Sequence, residues 1–394
     1  MKNFQPSANG LIWTNSAKSP YQNRSSKSER GLSLLELVVV LAIGAMIVLA
    51  LTQVLLMGVR SLAVQESSVH AIDTESFALQ SMAANIRLAG FGMGDDVLAV
   101  KPASILLDLA QLSWQSVADD ASVAMYLSDS SAKTSYANTT DGASDQLTII
   151  YRAPQTMWDC EGKLALGARR VRLASGEMAD VAGQVVIERY FVEQAPSLSA
   201  QNATQNAQDS ARTLNLRCDS ARFVPERIER DGVRDVERSS SYLNAIIDAQ
   251  AKTKQANRIY GLGVESEIVA SGVEGFWVEL GVQLADGVRF VSADEYRALA
   301  GGYWAQARQA DGAQNAAGDF SDDFSDDLND NSPPPIVSVR LALISRAPLS
   351  LPSGQQAQTV FEVFGKRKTI ADDAPNHKRT LHQTHITLRN ALAD

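Results

Sequence analysis

The sequence predicts an α+β protein: a long N-terminal α-helix, half membrane-spanning and half amphipathic, packed on a predominantly antiparallel β-sheet in an exported domain. Three observations carry this reading. Between Arg30 and Arg60 the only charged side chain is Glu36. From Val69 to Gly90 the apolar and small residues recur at spacings of three and four. Beyond about residue 97, short runs rich in Val, Ile, Phe and Tyr alternate with polar stretches, without the strand–helix–strand rhythm of a parallel sheet.

Taken in order, residues 1–31 form a polar leader rich in Ser, Asn, Lys and Gln, expected to stay cytoplasmic. The next segment, 32–59, is almost wholly Leu, Val, Ile, Ala and Met. At about 1.5 Å per residue, a helix from Arg30 to Arg60 reaches roughly 40 Å, enough to cross a hydrocarbon core of about 30 Å. Arg24, Lys27 and Arg30 precede it, so the positive-inside rule keeps the N-terminus in the cytoplasm and exports the remainder. A cleaved secretory signal has an apolar region of only about 7–15 residues and a small-residue cut site, and neither fits here. A plain signal anchor fits the length but leaves Glu36 unexplained. A carboxylate at that depth costs several kcal/mol unless paired, so it marks a function.

Residues 60–92 continue the helix in amphipathic form. Val69, Ile72, Ser76, Leu79, Ala83, Ile86 and Gly90 make one stripe, with Glu66, Asp73, Glu75 and Arg87 expected off it. The glycines of Gly90-Phe91-Gly92-Met93-Gly94 end it, because glycine tolerates the left-handed cap. Arg87 is expected to pair or cap at the helix end. Residues 93–394 are the exported β-rich domain. Strands are expected over Gln146–Arg152, Gly183–Val192, Gly275–Val282, Gly287–Val291 and Ile336–Ser345, with shorter ones at Thr359–Phe364 and His385–Arg389. Long polar insertions are expected near 195–213 and 305–335.

Charge and cysteines narrow the function. The first thirty residues hold five basic residues and one acid, a surplus of four, so removing them takes the net charge from −9 to about −13. A chain that acidic is a poor nonspecific binder of nucleic acid, and no direct nucleic-acid partner is expected. Cys160 and Cys218 are the only cysteines, both on the exported side. That compartment permits a disulfide between them, and the absence of CxxC argues against zinc.

No chemistry-bearing cluster stands out. The acidic run Asp311–Asn331 lacks the spacing of a calcium loop and is expected to be a solvated loop ended by Pro333-Pro334-Pro335. Arg217–Arg238 balances six arginines against six acids and is expected to be solvated and salt-bridged. His382 and His385, three apart, fall on opposite faces if the end is a strand, which is wrong for shared metal ligation. No nucleophile elbow, zinc-helix, Walker or dinucleotide fingerprint occurs, so no enzyme, metal or cofactor is expected.

Gly31-Leu32-Ser33-Leu34-Leu35-Glu36 resembles the type IV prepilin motif. The resemblance implies peptidase cleavage between Gly31 and Leu32, N-methylation of Leu32, and Glu36 at the fifth mature position. Leu32 departs from the usual Phe. Glu36 of one subunit is then placed to neutralise the Leu32 amine of a neighbour, a registry device for helix assembly. Phe77–Asp95 resembles a segment of PilW-like minor pilins at Phe77, Ala78, Ile86, Arg87, Ala89, Gly90, Phe91 and Gly94, with departures at Ser76 and Asn85. Shorter islands agree in order: the Asp159–Gly162 turn, the run ending at Cys218, and Thr387–Asn390. The resemblance implies a minor pilin of the inner membrane and then the pilus, in assembly initiation or a tip complex. Its implied partners are other minor pilins, the major pilin, a tip adhesin, the inner-membrane assembly platform and the prepilin peptidase. Adhesion and twitching motility are the roles it suggests. A type II secretion pseudopilin of the J kind is the alternative within the class; a signal-anchored periplasmic enzyme or receptor is the alternative outside it.

Overall fold

The structure, a computed structural model, describes residues 33–93, 104–108, 111, 125–172, 178–195, 213–223, 262–263, 265–303, 333–352, 354–372 and 374–389. One helix, α1 (Leu34–Ile86), runs without a break through both predicted halves. The chain divides into two compact units between Arg60 and Ser61.

In the first unit the described residues are the start of α1. The Ser33 carbonyl accepts the Leu37 amide at 3.1 Å, and its hydroxyl accepts the Leu35 amide at 3.2 Å. Ser33 is thus the N-cap, meeting donors that a helix start leaves unpaired. Thr52 Oγ1 donates back to the Val48 carbonyl at 2.7 Å, which hides its hydroxyl within the helix.

The second unit is a sheet with the rest of α1 on one face. Its strands are β1 (Leu147–Arg152), β2 (Met157–Trp158), β3 (Leu164–Ala165), β4 (Arg169–Arg172), β5 (Met178–Val181), β6 (Val185–Gln194) and β7 (Leu214–Phe223). They are followed by β8 (Glu267–Leu284), β9 (Gly287–Val291), β10 (Ile336–Ser350), β11 (Val360–Val363), β12 (Lys366–Thr369) and β13 (His377–Thr387). The main sheet has the order β1-β6-β7-β8-β10-β13, with β9 folding back on β8. Every one of these pairings is antiparallel, in agreement with the α+β expectation. The hairpins β2-β3, β4-β5 and β11-β12 form separate two-stranded sheets.

Helix and sheet meet in one core. Ala78, Leu79, Met82, Ala83 and Ile86 pack with Tyr151, Tyr190, Phe276, Leu341 and Ile386. Burying a side chain the size of Met82 or Ile86 contributes about 1.5–3 kcal/mol. A smaller core on the other face joins Trp277, Ala342 and Ile344 to Phe361 and Val363 of β11 and to Ile370 just after β12. After Ile86 the chain turns at Gly90, where φ is +79° and an added Cβ would stand 3.1 Å from that of Ser104. The Gly90 amide donates to the Ile150 carbonyl at 2.8 Å, so the helix end is bonded to β1.

The structure corrects several boundaries. The predicted stripe holds at Leu79, Ala83 and Ile86 but not at its start, where Val69 is 57% exposed. Glu75, expected off the stripe, is 2% exposed. The reason is that the buried face also carries polar residues, which an apolar periodicity does not register. β13 begins at His377 rather than His385, because its Lys, Arg, Thr and His residues carry little strand signal. The run from Arg217 is not wholly solvated: Asp219 lies in β7 and is 1% exposed. β8 begins eight residues before Gly275 and runs two past Val282, pairing β7 along its first part and β9 along its last. The acidic run 311–331 and nearly all of the two polar insertions lie outside the described residues.

Candidate functional site

The sequence-predicted site residues fall in three places. Gly31 and Leu32 lie outside the described residues. Glu36 sits in the first turn of α1, where the helix dipole favours an anion. Around it the apolar surface is bare: Leu34 is 82% exposed, Met46 70% and Leu55 67%. The apolar span Leu34–Val69 covers 36 residues, and its most apolar 18-residue window reaches a mean hydropathy of 2.9 with none of that window buried. A helix apolar all round, whose described residues there are all exposed, suits lipid or other helices.

Cys160 and Cys218 are joined in a disulfide with a Cα–Cα distance of 6.0 Å. It ties the β2–β3 hairpin region to β7. The Glu188 carboxylate lies within 4.8 Å of both sulfurs, a set that resembles metal ligands. Thiols bonded to each other offer no thiolate, and Glu188 is already engaged. Its Oε1 accepts Asn85 Nδ2 at 3.0 Å, Tyr151 OH at 2.8 Å and the Cys160 amide at 3.0 Å. Its Oε2 accepts Tyr190 OH at 2.7 Å. Burial pushes this carboxyl upward in pKa, and the four donors oppose that. One side chain therefore gathers α1, β1, β6 and the disulfide loop. The departure at Asn85 has a physical reason here: an acidic residue would set a second carboxylate against Glu188, whereas the amide donates to it.

A second polar contact holds the helix farther up. Glu75 Oε2 lies 2.6 Å from His382 Nε2, and Thr380 Oγ1 donates to both carboxyl oxygens at 3.2 and 3.3 Å. His385 turns to the opposite face, edge-on to Phe290 with ring centroids 5.5 Å apart, so the two histidines do not converge. Arg87 is exposed, and its carbonyl, not its side chain, accepts the Arg389 amide at 3.2 Å. Neither Glu188 nor the Glu75–His382 pair was singled out in the sequence.

This pair predicts a pH dependence. Burial raises Glu75 from 4.5 to about 7 and lowers His382, both shifts favouring the uncharged forms, so below about pH 7 the acid keeps its proton. The unfolded chain loses that proton near pH 4.5, so Glu75 favours the fold fully below that pH. Its contribution is lost as pH rises through about 7. The loss is roughly 3–3.5 kcal/mol, at about 1.4 kcal/mol per tenfold change in proton affinity. Melting of the wild type against Glu75→Gln across pH 4.5–7 checks it, because His382 is common to both. A constant difference across that range would contradict the assignment.

Residues 26–52 match the profile of the family described as the prokaryotic N-terminal methylation motif. The chain carries that methylation motif. The match spans Gly31, Leu32, Glu36 and the first turns of α1, and leaves the sheet unassigned. Motif and apolar helix together support a type IV pilin-like protein, anchored through its N-terminal helix with an exported domain. No curated protein matches the chain. Among solved structures, a type IV-like pilin, TTHA1219 from Thermus thermophilus, aligns over 81% of this chain and 96% of its own. It does so at 11% identity and a TM-score of 0.31, too loose a superposition to carry an argument.

Proposed function

We propose that this methylation-motif protein is a minor pilin of the PilW kind. The observation that carries the reading is the match over residues 26–52 on a helix whose apolar surface is bare from Leu34 to Val59. Prepilin peptidase cuts between Gly31 and Leu32, and Leu32 is then N-methylated. The helix holds the protein in the inner membrane until it enters a pilus, where it packs among the helices of other subunits. A sheet unit running from Ser61 to the end of the chain is bulky for the shaft and suits a tip or priming position. Other minor pilins, the major pilin, a tip adhesin and the assembly platform are the partners this position brings. The pilin-like motif points to a structural subunit rather than an enzyme.

The mature N-terminus tests the proposal. Mass spectrometry of protein recovered from pili should find Leu32 first, one methyl group heavier than the bare residue. Gly31→Ala should be processed better than a bulky substitution at the same place, since the site requires a small residue. An intact leader on pilus-borne protein would end this reading.

A further inference from the structure

β13 is the last strand in the sheet order, and no strand lies beyond it among the described residues. Its register with β10 is constant from Ser338↔Thr387 to Arg346↔Arg379. The Leu388 amide donates to the Val337 carbonyl at 3.0 Å, which fixes the phase of the ladder. Alternate residues of an antiparallel strand turn both backbone groups to the same side. Thr380, His382, Thr384 and Ile386 therefore bond to β10. Arg379, Leu381, Gln383, His385 and Thr387 direct their amides and carbonyls outward.

Both faces of this strand are occupied while, among the described residues, its edge stays open. On one face Thr380 and His382 meet Glu75 of α1. On the other, Leu381 packs against the smaller core and Gln383 Nε2 donates to the Glu362 carbonyl at 3.2 Å. A long open edge is a template for another strand, and proteins commonly guard such edges with charge. Here the charge has one sign. Residues 377–389 contain Lys378, Arg379, Arg389 and three histidines but no acid, in a chain of net charge −9. Arg379 is turned inward onto Glu274 at 3.1 Å, whereas Lys378 and Arg389 are exposed, as are Lys366 and Arg367 of β12. Like charges oppose pairing of two copies of β13 and favour a strand of opposite sign.

We propose that the outer edge of β13 receives an extended, Asp- or Glu-rich segment of a neighbouring subunit, which adds to the sheet as a further strand. The neighbour as donor rests on the filament reading; the capacity of the edge does not. Amide hydrogen exchange, read residue by residue on the full chain in detergent micelles, tests that capacity with the peptide Val-Asp-Val-Asp-Val-Asp-Val-Asp-Val. The Leu381, Gln383, His385 and Thr387 amides should exchange fast alone and slow by about tenfold or more with this peptide, while those of His382 and Thr384 stay slow throughout. The same peptide with Lys for Asp should protect nothing. Gln383→Pro removes an outward donor without breaking a bond to β10 and should abolish the protection, while Gln383→Ala keeps it. Absence of protection, equal protection by both peptides, or protection surviving Gln383→Pro would each overturn the proposal, and the first two need no variant. In assembled pili the same four amides should be slow. Failure to enter pili at all counts against the filament reading and leaves the peptide result standing.

Discussion

Glu188→Ala should destabilise the sheet unit by about 3–5 kcal/mol, because it leaves four donors, three of them buried, without an acceptor. Asn85 Nδ2, Tyr151 OH, Tyr190 OH and the Cys160 amide all end on this one carboxyl, between 2.7 and 3.0 Å. Each unsatisfied group costs about 1–3 kcal/mol in a dry core, and partial relaxation keeps the total below the simple sum. In a unit of this size that is a fall in melting temperature on the order of 10 °C. Glu188→Gln keeps one carbonyl oxygen but turns an NH₂ toward a donor, so it should fall between Ala and wild type. Tyr151→Phe or Tyr190→Phe removes a donor together with its demand and should cost only about 1 kcal/mol. Thermal melting of the four variants decides the matter. A Glu188→Ala protein within about 1 kcal/mol of wild type would show that the carboxyl does not hold the helix end to the sheet.

The difference between Glu188 and Glu36 shows what a sequence displays of such a protein. Glu36 is conspicuous because it interrupts a run with no other charge, and the basic leader and Gly31 beside it agree with one processing chemistry. The strands with dense Val, Ile and aromatic content, such as β1, β6 and β10, were legible for the same reason: burial on both faces leaves a continuous apolar run. β13 and the far end of β7 were not, since their sequences alternate charged and polar residues that are buried only by partners distant in the chain. Arg379 meets Glu274 across 105 positions, and Asn85 meets Glu188 across 103. No local periodicity carries that information. The disulfide was inferable only because two cysteines admit a single intramolecular pairing; its neighbour Glu188 had no such arithmetic.

Glu36→Val should leave folding intact and remove the chain from pili. The described residues of the first unit bury nothing, so Glu36 contributes nothing to the sheet core, and the melting temperature of the variant should match wild type. Leader removal should also proceed, provided the peptidase reads Gly31 and the basic residues before it. On the proposed reading, what the substitution removes is the counter-charge for a neighbour's Leu32 amine. In the membrane, or in the helix-lined centre of a filament, an amine without its carboxylate costs several kcal/mol. At about 1.4 kcal/mol per decade, even 2 kcal/mol of that cost lowers incorporation on the order of 30-fold. Glu36→Asp keeps the charge but withdraws it by one methylene, so its incorporation should fall between Val and wild type. Should Glu36 serve the peptidase or the methylase instead, unprocessed or unmethylated protein would accumulate before assembly begins. Following leader removal, N-methylation and pilus content in one strain separates these stages. Processed, methylated Glu36→Val protein entering pili at the wild-type level would refute the registry role, whatever its effect elsewhere.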